Sequence, residues 1–323
     1  MTLRRGASIE TLKQRASLLS KMRAFFAARG VAEVETASLS AAATPDPALH
    51  SLRAATGQRG TFLHTSPEYM MKRLVAGGSG DIWQLCRVYR DAEIGRWHEP
   101  EFSLLEWYRI GFDEHALMDE IDALLKELLP GDKLRETTER MSYDAALHHA
   151  VGLDSGASAK DLHHELCAHE IDVPRDMSHG EMLDLAMSTL ICPRLPADRL
   201  TFIHDYPQQQ AALAELNPGN PPTAARFEVF IGELELGNGF RELTDATEQR
   251  RRFEAENAAR AQAGLEPMPL DEAFLQALGE GLPACAGVAL GFDRVVAAAV
   301  GAERVADVVA FTHAPSRPRS DRV

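Results

Sequence analysis

Apolar and polar positions change period several times along the chain, and each change predicts an element. After Ser8, which suits a helix N-cap, Ile9, Leu12, Ala16, Leu19 and Phe26 recur at helical spacing. This predicts a helix with one buried face, running to about Arg29 and stopped by Gly30. Val31 to Thr36 then reads as a strand, as does Thr61 to His64. Pro67 to Val75 predicts a helix with proline in its first turn, followed by a turn over Gly77 to Gly80. From Trp83 to Phe112 two stretches alternate apolar and polar residues around a charged loop near Glu93 to Glu101, the pattern of a half-buried antiparallel pair. Asp113 to Leu129 predicts a helix.

Residues 130–200 carry helical patterns (Ser142 to Val151, Lys160 to Glu170, Ser178 to Ile191) separated by Gly and Pro, which predicts a small helical insert. Thr201 to His204 reads as a strand, and two more follow a proline-rich loop, from Phe227 to Leu243. Helices are predicted over Thr244 to Gly264 and Leu270 to Leu278, a buried strand over Ala286 to Leu290, and a last long helix from Gly291. The tail Ser316 to Val323 reads as a solvated end.

The 323 residues, 45% hydrophobic, suffice for one large core or a core with a small insert. A net charge of -14 argues against an extended nucleic-acid footprint, which needs clustered Lys and Arg. Four cysteines (Cys86, Cys167, Cys192, Cys285) lie far apart with no C-x-x-C pair, as expected of a reduced, cytoplasmic protein without a zinc knuckle. The N-terminus lacks the apolar centre of a signal peptide, and no apolar run approaches the roughly 20 residues of a membrane span. His163, His164, Cys167 and His169 invite a metal reading, but H-E-L-C-A-H places its histidines, His164 and His169, five apart and so not on one helix face as in H-E-x-x-H, and no metal is expected there. No G-K-[ST] follows Gly77 to Gly80, so that turn is not a phosphate loop.

The charged loop holds Arg90, Arg96, His98 and Glu99 between strands that bury aromatics. The same residues fit either a solvated hairpin tip or a grip on an anion. The wider string R-x-Y-R-D-A-E-x-x-x-x-H-x-P-E-F-x-x-L-E-W-Y resembles motif 2 of the class II aminoacyl-tRNA synthetases, most closely the lysyl branch. F-E-V-F-I-G-E-L-E-L-G-N-G-F-R-E-L, from Phe227 to Leu243, resembles that branch's magnesium and lysine strands. G-V-A-L-G-F-D-R, from Gly287 to Arg294, resembles motif 3. T-S-P-E-Y-M-M-K-R-L-V-A-G-G resembles the family's P-E-x-x-x-K-R-L-x-x-G-G. The first helix and strand are similar to motif 1, which builds the family's dimer interface.

The resemblance implies an α+β fold, an antiparallel sheet flanked by helices, as one class II catalytic domain spanning residues 1–323 in a homodimer. It implies amino-acid activation by ATP with Mg2+. Arg90 would bridge the substrate carboxylate and the α-phosphate, with Arg294 on the γ-phosphate and Arg96 and His98 near the β- and γ-phosphates. Adenine would stack on Phe102 and be covered by Arg294. Glu228 and Glu235 would bind metal with ATP. Ser66, Glu68, Glu106, Tyr108, Asn238, Phe240, Glu242 and Ala289 fall in the substrate pocket. Of these, Tyr108 and Glu242 suit the side-chain ammonium, Glu68 and Glu106 the amino group nearer the carboxylate, and Phe240 the methylene stem. Several carboxylates in one pocket need a cationic ligand to offset their repulsion, and lysine carries two ammonium groups.

Three positions depart from the family. Ala37 stands where motif 1 has Pro. Ala92 stands where motif 2 has the Glu that reads adenine, so either Glu93 replaces it or the backbone reads adenine alone. Ala289 stands where lysyl-tRNA synthetases keep glycine. Motif 1 begins within the first few dozen residues, which leaves no room for the branch's N-terminal anticodon-binding barrel. Together with Ala289 and the acidic balance, this resembles a truncated lysyl-branch paralogue that attaches (R)-β-lysine, or lysine, to a lysine of translation elongation factor P. Transfer to tRNA is then not expected. Two rivals are a small ligase that charges tRNA or another acceptor, and a non-catalytic regulatory paralogue. Against the second, Arg90, Glu228, Glu235 and Arg294 are all present.

Overall fold

A computed structural model describes residues 3–55 and 60–313, so the predicted solvated tail lies outside the described residues. In chain order its main elements are α1 (Ile9–Ala28), β1 (Ala32–Glu33), α2 (Glu68–Ala76), β2 (Ile82–Tyr89), β3 (Glu101–Ile110), α3 (Glu114–Leu128), β4 (Glu139–Ser142), α4 (Tyr143–Val151), α5 (Ala159–Ala168), α6 (His179–Ala186), β5 (Leu200–Pro207), β6 (Thr223–Ile231), β7 (Leu234–Arg241), α7 (Ala246–Gln262), α8 (Glu272–Gly281), β8 (Cys285–Gly291) and α9 (Phe292–Val300). This is the expected α+β class. The described residues form two compact units: one takes those up to Glu106, Arg250–Ala277 and those from Gly291, the other Trp107–Gln249 and Leu278–Leu290.

In the first unit β1 pairs with β2 in parallel, and β2 lies beside the first part of β3. Ser8 caps α1 as predicted, its side chain accepting from the Thr11 N–H, and Gly30 ends the helix at φ +69°. The buried face of α1 differs in part from the predicted one. Ile9 is 57% exposed and Ala16 is exposed, while Leu18, Met22, Phe25 and Phe26 are buried. Phe26 is buried as predicted, stacked on Trp83 of β2 with ring centroids 5.0 Å apart, and the packed face extends from it to Leu18, Met22 and Phe25 instead of to Ile9 and Ala16.

In the second unit the strands follow the order end of β3, β8, β7, β6, β5, β4. The contacts from β8 to β5 are antiparallel and β5 pairs with β4 in parallel. The predicted insert forms its three helices, with Leu147, Leu162, Leu166 and Leu183 packed on Ile203 and Tyr206 of β5. It is not wholly helical, because Glu139–Ser142 joins the sheet as β4. The last predicted helix of the insert is regular only to Ala186 and continues as a wider turn over Met187–Ile191.

Candidate active site

The loop between β2 and β3 closes where the Arg90 N–H donates to the Pro100 carbonyl (2.9 Å). Inside it Ala92 adopts φ +63°, a left-handed conformation that glycine or asparagine takes more readily. Arg90 stacks over Phe102, its guanidinium carbon 5.0 Å from the ring centre, and lies 3.8 Å from the Glu93 carboxylate. Glu93 therefore turns back toward Arg90. Arg294, in the first turn of α9, donates from Nε to the Trp97 carbonyl (3.3 Å) and from Nη2 to His98 Nε2 (2.9 Å). A guanidinium only donates, so Nε2 of His98 accepts and its proton sits on Nδ1. Arg96 donates to the Glu303 carbonyl (2.9 Å). Arg90, Arg96, His98 and Arg294 are thus brought to one loop and one helix terminus, where an anion is stabilised by both side chains and helix dipole.

The sequence reading missed the anchor of this helix terminus. Asp293 is buried, ion-paired with Arg15 of α1 (2.6 Å), and accepts from the Ser103 N–H (2.9 Å). Arg15 also donates to the Ser103 hydroxyl (2.8 Å). These contacts tie α9 to α1 and β3 and set where Arg294 starts. Glu99 of the same loop accepts from the Thr312 hydroxyl and from the His313 N–H (2.9 Å).

A second group in this unit surrounds the start of α2. The Ser66 hydroxyl donates to Glu106 (2.7 Å) and accepts from the Glu68 N–H (3.0 Å). Lys72, one turn along α2 and 1% exposed, donates to Glu68 (2.6 Å). One Glu68 oxygen is therefore committed within the protein, a contact that the K-R-L string carried without showing it. Nearby, burial and the charges of Asp46 and Glu68 push the Glu256 carboxyl up to about 7, against the pull of Arg252. Burial, with Glu106 close by, pushes the Cys86 thiol up to about 12.

In the second unit one face of β6, β7 and β8 collects the predicted substrate and metal residues. Asn238 faces Glu228 on one side and Ala289 on the other, and Phe240 faces Arg226 and Gly287. Alternation alone would turn Glu235 away from Asn238. The register changes between Val229 and Phe230, however: Val229 faces Gly237 and Phe230 faces Glu235, so Leu236 is an extra residue in β7. This bulge returns Glu235 to the face of Glu228. Burial pushes the Glu228 carboxyl above its usual range, Arg226 pulls it back and Glu235 pushes it up again. Two hard oxygen donors that repel each other suit Mg2+. Among the described residues no group of three or more His, Cys, Asp or Glu could hold a metal, and Glu228 and Glu235 are a pair of candidate oxygen ligands. That fits an ion that keeps water and phosphate as its other ligands.

Glu242 and Tyr108 are 1% and 2% exposed. They meet over Gly287: a Cβ built there would lie 2.4 Å from both Glu242 Oε1 and Tyr108 Cε1. The missing side chain at 287 is what lets the carboxylate and the phenol approach. Ala289, two residues on, is half-buried rather than buried as the sequence suggested.

A family model described as tRNA synthetases class II (D, K and N) matches residues 1–315. Among curated proteins the chain is similar to the elongation factor P–(R)-β-lysine ligase of Vibrio atlanticus, 43% identical over 317 residues that cover 95% of this chain and 96% of the relative. It is likewise similar to the ligases of that name from Vibrio cholerae (45% over 315 residues, 94% and 96%) and Proteus mirabilis (43% over 317 residues, 95% and 96%).

Proposed function

Because the chain belongs to the family of class II tRNA synthetases (D, K and N), we propose that it activates (R)-β-lysine with ATP and transfers it to a lysine side chain of elongation factor P. The observation that carries this reading is the corner of Glu242, Tyr108 and Gly287, a buried carboxylate and phenol over a floor without a Cβ. Its buried carboxylate and phenol suit the side-chain ammonium of a lysine-like substrate. The names of the relatives supply the acceptor.

In the first step a substrate carboxylate oxygen attacks the α-phosphorus of ATP and pyrophosphate leaves. Negative charge accumulates on phosphate oxygens, so the residues act by position and charge. Arg90 offers a planar fork to the carboxylate and α-phosphate. Arg294, steadied by Trp97 and His98, suits the terminal phosphates, and Phe102 offers its ring to adenine. Glu228 and Glu235 would hold Mg2+, which supplies charge neutralisation at the phosphates. Glu68 and Glu106, fixed through Lys72 and Ser66, face the amino group nearer the carboxylate. In the second step the acceptor amine, deprotonated, attacks the activated carbonyl carbon, AMP leaves, and the amine loses its proton.

The reading extends to a cytoplasmic homodimer. The stripe Ile9, Leu12, Ala16 and Leu19 of α1, exposed or half-exposed, supports a partner copy. Among the described residues no helix is long and apolar enough to cross a membrane. The test is ATP–pyrophosphate exchange with α-lysine, (R)-β-lysine and (S)-β-lysine, followed by transfer to elongation factor P or lysine tRNA. Exchange is expected to be greatest with (R)-β-lysine and to vanish in Glu235→Gln and Arg294→Ala. Rapid charging of tRNA with none of elongation factor P would overturn the acceptor. Wild-type exchange in both variants would overturn the site.

A further inference from the structure

Arg226 of β6 belongs to none of the motifs, yet it touches two residues that the proposed function uses. Its Nη2 donates to Glu228 Oε1 (2.5 Å), its Nη1 to the Gln210 carbonyl (2.9 Å), and its guanidinium lies over the Tyr206 ring, 4.4 Å from the centre. Gln210 is held in turn by Asp184 at the end of the insert, which accepts from its amide (2.5 Å). Fixed on those sides, the guanidinium reaches Asn238 with Nε, 3.3 Å from the side-chain oxygen. Cross-strand register explains the reach: Asn238 faces Glu228, and Arg226 is the next residue along that face of β6.

The chemistry of this contact fixes the amide. An arginine Nε can only donate, so the atom it meets must be the Asn238 oxygen. The amide's other end is NH2, which can only donate. We propose that Arg226 is a positioning residue that orients Asn238, so that Asn238 presents an N–H donor to an anionic oxygen of the ligand and never an acceptor to its ammonium. This rests on the proposed function, which puts Asn238 in the substrate pocket. The anionic oxygen belongs to the amino-acid carboxylate or to a phosphate of ATP. The insert gains a role through the same chain of contacts, since Asp184 buttresses Gln210 and Gln210 buttresses Arg226.

The sign of one substitution tests the orientation. In Asn238→Asp the contact to Arg226 survives as an ion pair, but the ligand meets an acceptor in place of a donor. Binding of (R)-β-lysine and of ATP is measured separately by calorimetry in wild type, Asn238→Ala, Asn238→Asp, Arg226→Lys and the pair Arg226→Lys with Asn238→Ala. Asn238→Ala should weaken one ligand about tenfold and Asn238→Asp about a hundredfold. Whichever ligand weakens identifies the oxygen as carboxylate or phosphate. Lysine at 226 keeps the charge beside Glu228 but has no fork to span both partners. It should therefore weaken the same ligand about tenfold, with the pair no weaker than either single variant within about twofold. An Asn238→Asp protein that binds both ligands as tightly as wild type, or more tightly, overturns the orientation, as do fully multiplying effects in the pair. Wild-type protein that binds neither ATP nor any lysine isomer overturns the proposed function along with it. Melting temperatures of the same variants, each of which keeps a positive charge at 226, report whether each is folded. Asn238→Asp, which retains the anchor, keeps the sign test independent of any folding defect at 226.

Discussion

Adding one methyl group at Gly287 tests the substrate corner directly. An ideal Cβ would sit 2.4 Å from Glu242 Oε1, 2.4 Å from Tyr108 Cε1 and 2.7 Å from Tyr108 Cδ1. Carbon atoms rest about 3.5–4.0 Å apart, so each partner must retreat by about 1 Å. Neither has solvent to move into, at 1% and 2% exposure. Forcing an extra methyl into such packing costs about 1–3 kcal/mol. A displacement of about 1 Å in a positioning group costs on the order of a hundredfold in rate. Gly287→Ala should therefore lower kcat/KM for (R)-β-lysine about a hundredfold in pyrophosphate exchange, with ATP binding by calorimetry within about twofold of wild type. The melting temperature should fall by roughly 2–4 °C per kcal/mol for a unit of this size. Wild-type KM and kcat for (R)-β-lysine in Gly287→Ala would refute the reasoning, because the substrate would then not depend on where Glu242 and Tyr108 stand.

Three further outcomes follow from the same geometry. Ala289, opposite Asn238 in the strand pair, should exclude one position of the substrate amine. Ala289→Gly is expected to raise activation of α-lysine relative to β-lysine by roughly ten- to two-hundred-fold, and an unchanged ratio would reduce Ala289 to packing. Glu256 carries a carboxyl raised from 4.5 to about 7, so the folded protein holds its proton more tightly than the unfolded chain. Stability from this group is complete below pH 4.5, falls as pH rises through that window and stays reduced above about 7. Glu256→Gln should then be more stable than wild type by about 1–3 kcal/mol at pH 8 and equal to it near pH 4, and denaturant titrations that run parallel at both pH values would contradict this. Arg15→Met would leave Asp293 buried without its cation and should cost about 3 kcal/mol in the same titrations, along with ATP affinity. A loss under about 1 kcal/mol would mean that the pair does not anchor α9.

The sequence by itself determined most of the elements and the family. Ser8 and Gly30 bounded α1, alternation marked the strands that flank the Arg90 loop, and the strings around Arg90, Glu228 to Glu242 and Arg294 carried the family. Those features are local: a cap, a period or a spacing is read within a few residues. What only the tertiary structure decided depends on partners far apart in sequence. The face of α1 that packs was not fixed by period alone, since Phe26 is common to the predicted stripe and to the buried set with Leu18, Met22 and Phe25. Glu235 joins Glu228 through a one-residue bulge, and one residue of register reverses every side chain in a strand. Arg15, Lys72 and Arg226 gave no signal as residue types, because Arg and Lys are mostly solvated. Each became part of the site when folding placed a carboxylate or an amide within hydrogen-bond reach, Asp293 for Arg15, Glu68 for Lys72, and Glu228 with Asn238 for Arg226. Gly287 was legible as a motif glycine, but its reason lies in the approach of Tyr108 and Glu242, which no run of local sequence contains.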